Sequence, residues 1–139
     1  DAVANPMNWP VKKLKDLLAP KGRFVFAVDT VADRCADDDD YKISVSVKNR
    51  QGFDLVLKTK NYYAPQTHTQ FSPGKYELYD GDKLLQQELM DFQTHLYELG
   101  ELEPYLKDIG FTSITVYSSF DKNVARSNDA EMFLYECCL

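Results

Sequence analysis

Two histidines, three cysteines and a run of four aspartates are the residues of this chain whose types could do chemistry. His68 and His95 have no cysteine or acid around them at metal-ligand spacing, which argues against a zinc site. Cys137 and Cys138 are adjacent, and neighbours on a strand point to opposite faces, so one metal cannot easily take both. Three cysteines make no disulfide framework and read as structural thiols of a reducing, cytoplasmic compartment. The run Asp37–Asp40 lacks the alternation and the glycine of a calcium loop, and reads as a solvated loop. No two of the six glycines are separated by a single residue, so neither a dinucleotide fingerprint nor a phosphate loop is possible. No G-x-S-x-G is present for a hydrolase serine. No catalytic residue stands out; His68, near neutral by type, comes closest to a general base.

These residues need elements to position them. Pro10 opens a helix whose buried stripe is Val11, Leu14, Leu17 and Leu18, stopped by Ala19-Pro20-Lys21-Gly22. Phe24-Val25-Phe26-Ala27-Val28 is apolar at every position, as a central strand buried on both faces would be. A helix leading into such a strand is half of an α/β crossover. Tyr41 to Lys48 then alternates, with Ile43, Val45 and Val47 on one face. After the turn at Asn49-Arg50-Gln51-Gly52, Phe53, Leu55 and Leu57 repeat the alternation, which predicts a hairpin with one wet face. Two more strands flank Pro73-Gly74 and Asp80-Gly81. Leu84 to Leu96 has helical spacing yet follows a hairpin-type turn. From Leu99 the pattern predicts a helix starting near Gly100, a stop at Gly110, a strand from Thr112 to Ser119, an exposed loop from Asp121 to Ala130, and an apolar strand from Met132 to Cys138.

At 139 residues the chain is expected to be a single domain, long enough for one real core and not for two. Nine tyrosines and eight phenylalanines argue against disorder. A net charge of −6 argues against nucleic-acid backbone or an anionic membrane as partner. No apolar run approaches a bilayer span, and no signal peptide is evident. The sequence starts at Asp1 without a methionine, as a fragment or a processed product would.

Taken in order, Leu17-Leu18-Ala19-Pro20-Lys21-Gly22-Arg23-Phe24-Val25-Phe26 and the closing segment Leu99–Leu139 resemble the C-terminal half of a class I S-adenosylmethionine-dependent methyltransferase. In that family a helix ends in Leu-x-Pro-Gly-Gly and feeds the fifth strand of the sheet; here Lys21 replaces the first glycine. Asp1-Ala2-Val3-Ala4-Asn5 resembles the end of the fourth strand, and Tyr76 to Leu96 a β-rich insertion carried over the active site by small-molecule enzymes. The resemblance implies an α/β fold, or α+β as an isolated fragment, with a partial Rossmann-like core at 1–30 and 97–139 and a lid insertion at 31–96. It also favours strand for the first half of Leu84–Leu96. Asn5 and Trp9 would then floor a small-molecule pocket, and Tyr62, Tyr63, His68, Phe71 and Tyr76 would supply the lid. The family's glycine-rich cofactor turn is missing. S-adenosylmethionine is therefore expected in the full-length enzyme and not on this chain alone, which would be inactive alone.

In the family's sheet the fifth strand lies between the fourth and the seventh, so Phe24 to Val28 would here be close to a naked edge. The expected partner is a missing N-terminal domain or a second copy of the chain. Asn5-Pro6-Met7-Asn8-Trp9 is similar to the tetrad of amino-methylating DNA enzymes, but its third position and the charge are wrong; helix entry with Asn8 as cap is the simpler reading. The rival from another class is a non-catalytic α+β binding or assembly module. The strand at Phe24 to Val28 discriminates: parallel pairing with an open edge supports the methyltransferase half, and an all-antiparallel closed sheet supports the binding module.

Overall fold

The structure, a computed structural model, describes residues 8–139, with side chains from Pro10 onward. In chain order it forms α1 (Asn8–Asp16), β1 (Arg23–Asp29), a 3-10 turn (Val31–Asp33), β2 (Lys42–Lys48), β3 (Asp54–Thr59), β4 (Tyr62–Ala64) and β5 (Thr69–Phe71). There follow β6 (Gly74–Asp80), β7 (Lys83–Met90), β8 (Gln93–His95), α2 (Glu103–Ile109), β9 (Ser113–Tyr117) and β10 (Met132–Cys138). The fold is mixed and strand-rich, with two helices and antiparallel sheets. The chain divides into two compact units. One joins the segment ending at Asp33 to Tyr97–Leu139, and the other is Arg34–Leu96. No described helix is long and apolar enough to cross a membrane.

In the first unit β10 lies between β1 and β9 and is antiparallel to both. Its near-continuous apolar sequence suits that place, and Phe133, Tyr135 and Cys137 are fully buried. The core gathers them with Val11, Leu102, Leu106, Phe111 and Val116. Phe24, Phe26 and Tyr135 form a stacked run at centroid spacings of 5.0 Å. Two expectations are corrected here. β1 is not buried on both faces: its residues alternate, and Val25 is 51% exposed, because β10 is its one neighbour among the described residues and only one face meets the core. That neighbour is antiparallel, so the parallel half of the discriminating test fails, while the sheet stays open at β1. The α1 stripe also shrinks. The helix ends at Asp16, before Leu17, which is 82% exposed, and Leu14 is exposed too.

The helix boundaries have local causes. Pro104 sits in the first turn of α2, and Gly110 ends it in the left-handed conformation at φ 111°. The Lys15 ammonium donates to the Ile109 carbonyl at 2.9 Å, placing a cation at the negative end of α2. In the turn before β1, Lys21 takes φ 60°, the conformation a glycine adopts most readily. A side chain at Gly22 would come within 2.7 Å of the Ala19 carbonyl oxygen, so the turn has no room for one.

The second unit contains two antiparallel sheets, ordered β2-β3-β6-β7 and β4-β5-β8. Leu84–Leu96 is extended in both halves: β7 pairs with β6, and β8 pairs with β5. Tertiary pairing has overridden its helical spacing. Where the chain leaves and re-enters the first unit, the Tyr97 N–H donates to the Asp29 carbonyl at 3.0 Å, and the Val31 N–H donates to the Tyr97 carbonyl at 3.2 Å. Thr30 is fully buried at this pinch; its hydroxyl donates to the Ala130 carbonyl and accepts from the Ala32 N–H. Replacing Thr30 by Val keeps the shape and strands both groups. Thr30→Val is expected to lower stability by about 1–3 kcal/mol, read as a lower urea midpoint by circular dichroism.

Candidate functional site

Two cavities lie in the second unit. Sheet β4-β5-β8 is short, and its outer strand β4 is bordered by the segment Arg34–Asp40. That segment is more than the solvated loop its acids suggest. Asp37 Oδ1 accepts the Tyr63 N–H at 2.9 Å. The Asp38 N–H donates to the Asn61 carbonyl at 2.8 Å. Asp38 Oδ2 accepts from the Asn61 N–H at 3.0 Å and from Nδ2 at 3.1 Å. The Lys42 ammonium on Asp38, helped by the Asn61 N–H, holds that carboxyl below the usual range. The Cys35 N–H donates to Gln70 Oε1 at 2.9 Å, while Gln70 Nε2 donates to the carbonyls of Tyr62 and Phe71. Gln70, 6% exposed, thus ties the loop to the sheet from inside.

Between this strapped loop and β4 lies a cavity of about 400 Å³, lined by Arg34, Cys35, Ala36, Asp37, Tyr63 and Pro65. The Arg34 guanidinium carbon stands 5.4 Å from the centre of the Tyr63 ring, within cation–π range. A second cavity of about 270 Å³ lies on the apolar face of the larger sheet, lined by Leu55, Tyr76, Leu78, Gln86 and Glu88. On the same face Val45 and Val47 pair with Leu57 and Leu55 and are half exposed.

The opposite face of that sheet is polar and tightly paired. Glu77, 6% exposed, receives the Lys58 ammonium at 2.5 Å, the Tyr79 hydroxyl at 2.7 Å and the Gln87 amide at 3.0 Å. The bonds from Lys58 and Tyr79 pull its carboxyl down to about 2. This cluster is a brace, since every oxygen of Glu77 already has a donor.

The expected site residues sort into separate places. Asn5 lies outside the described residues, as does the side chain of Trp9. Tyr62 and Phe71 are register partners across β4 and β5, stacked at 4.7 Å with an interplanar angle of 6°. Tyr63 lines the larger cavity and Tyr76 the smaller. His68 sits at φ 50° in the β4–β5 turn, its carbonyl accepting the Leu96 N–H at 2.8 Å, with its ring 6.3 Å from that of His95. Neither cavity is lined by a histidine. Arg34, Asp37 and Gln70 escaped the sequence reading. An arginine just before an acid run was the available signal.

The described cysteines are free, and among the described residues no cluster of metal-ligating side chains occurs. Burial foremost, then the neighbouring Cys138, pushes the Cys137 thiol up to about 12.

No protein-family model matches the chain, and no curated protein matches it. Solved structures do. The CcbJ methyltransferase from Streptomyces caelestis matches with a TM-score of 0.52 at 14% identity, over 91% of this chain and 47% of that one. An S-adenosylmethionine-dependent methyltransferase from Clostridium acetobutylicum ATCC 824 matches with a TM-score of 0.62 at 14% identity, over 96% of this chain and 50% of that one. The fold is methyltransferase-like. The chain spans about half the length of these two structures.

None of the six glycines lines either cavity, and their missing side chains would meet open space or the chain's own packing.

Two outcomes follow from these environments. The Glu77 carboxyl is lowered from 4.5 in the unfolded chain, so its contribution to stability is present above pH 4.5 and is lost as pH falls toward about 2. The urea midpoint of the second unit, followed by amide exchange in β3 and β6, should fall through that window, and Glu77→Gln should flatten part of the slope. Under native conditions iodoacetamide should alkylate exposed Cys35 and spare buried Cys137, as peptide mass mapping would show.

Proposed function

We infer that this chain is the C-terminal, lid-bearing part of an S-adenosylmethionine-dependent methyltransferase acting on a small molecule. The observation that carries the reading is the coverage: nearly all of this chain matches about half of each enzyme structure. The strand order supports it. β1 lies beside β10, as the fifth strand lies beside the seventh in the resemblance, and the first unit would supply the Rossmann-like part. The Arg34–Leu96 unit then takes the part of the lid, with Tyr63 the lid aromatic in the larger cavity. Methyl transfer gains most from orientation and exclusion of water, which are the services such a lid performs.

The edge of β1 away from β10, from Arg23 to Ala27, is the place for a partner, either an N-terminal cofactor domain or a second copy; at its far end the Asp29 carbonyl is already taken by the Tyr97 N–H. The free thiols suit a reducing cytoplasmic compartment. The binding-module alternative draws on the antiparallel pairing of β1, and it would leave the chain complete without any cofactor domain.

Titration calorimetry of the chain with S-adenosylmethionine and S-adenosylhomocysteine, with solution mass measured in parallel, tests the reading. No binding by the chain, and binding restored when a cofactor-binding half from a structurally similar enzyme is fused ahead of Asp1, is the expected result. Micromolar binding by the chain alone would overturn the fragment reading. A fused protein that folds yet binds neither compound would favour the binding module.

A further inference from the structure

The cavity beside Tyr63 has two opposite charges in one short, anchored loop. The Arg34 guanidinium meets the Tyr63 ring and has no carboxylate partner among the described residues. A guanidinium lying on a ring keeps the edge of its planar fork open to a carboxylate. Asp37 offers the complementary group. Its Oδ1 is occupied by the Tyr63 N–H, which fixes the carboxylate in place and leaves the other oxygen to accept.

We propose that the cavity formed by Arg34, Asp37, Tyr63 and Pro65 binds a small zwitterion of the amino-acid class. Its carboxylate lies on Arg34, its ammonium group on Asp37, and its apolar side chain against Tyr63 and Pro65. A singly charged ligand would satisfy one wall and be repelled by the other, and a phosphate-bearing one would meet the whole Asp37–Asp40 run. A zwitterion satisfies both. The volume, about 400 Å³, falls within the usual range for small-molecule sites. The walls are held before any ligand arrives, by Gln70 on the Cys35 N–H and by Asp37 on the Tyr63 N–H, so little ordering opposes binding. As a binding site this stands on the cavity alone; as the class of the methyl acceptor it rests on the methyltransferase reading.

The experiment is an amide-shift titration of the whole isotope-labelled chain with L-phenylalanine, 3-phenylpropanoate and phenethylamine. L-Phenylalanine should shift the amides of Cys35, Ala36, Asp37 and Tyr63, and bind about tenfold tighter than either singly charged probe. Arg34→Gln should bring L-phenylalanine down to the level of phenethylamine. Asp37→Asn, which keeps an oxygen for the Tyr63 N–H and hence the loop, should bring it down to 3-phenylpropanoate. Equal affinity for all three probes, shifts confined to Leu55 and Tyr76, or no shift at the cavity amides at the solubility limit would overturn the proposal. Failure of the methyltransferase reading is separable: the fused protein would fold yet bind neither S-adenosylmethionine nor S-adenosylhomocysteine while the cavity titration stayed as expected.

Discussion

The first unit depends on one strand that arrives last. β10 is the only described strand of its sheet with neighbours on both sides, and Phe133, Tyr135 and Cys137 on it are fully buried. The stacked rings of Phe24, Phe26 and Phe111 end on it at Tyr135. Its register with β1 joins residues at opposite ends of the chain, as in the Arg23–Glu136 contact across 113 positions. The sheet therefore cannot close until the residues from Arg23 to Cys138 are all present, and its formation is dominated by non-local contacts. Burial, aided by the nearby Glu103 carboxylate, raises the Tyr135 phenol and keeps it protonated, so the stack carries no charge at neutral pH.

The second unit is held by a different kind of interaction. Its sheets are thin and widely exposed, and apolar burial is sparse: Val56 and Leu96 are its only described buried hydrophobics. Side-chain acceptors compensate. Gln70 and Glu77, both buried, each take or give several hydrogen bonds, and the acids at Asp37 and Asp38 pair with backbone donors along β4. Satisfied polar groups of this sort fix geometry more than they add stability.

Much of this was legible in the residues because local signals and tertiary demands agreed. The alternation of Ile43, Val45 and Val47, followed by the Gly52 turn and Leu55 and Leu57, marks a hairpin that the register of β2 and β3 bears out. Gly110 after Ile109 marks the end of α2. The signals failed where position in the sheet decides. Five consecutive apolar residues in β1 read as doubly buried, yet the strand has one described neighbour. Leu85 and Leu89 have helical spacing but lie in strand β7, since β6 offers a partner that periodicity cannot see. The candidate site was the least legible. Tyr63 could be singled out as an aromatic, but Arg34, Asp37 and Gln70 matter through contacts across the sequence, which no local pattern announces.

The pinch at Asp29, Thr30 and Tyr97 has a consequence for how such a chain can change. Both ends of the Arg34–Leu96 segment are fixed beside each other by hydrogen bonds that belong wholly to the first unit. Closing a loop whose ends are already held together costs only slightly more entropy as the loop lengthens. The segment can thus be extended, shortened or replaced in the course of evolution without disturbing the register of β1 against β10. Length in the Arg34–Leu96 segment is thus a free variable, while the bridge between Thr30 and Tyr97 at its two ends stays fixed.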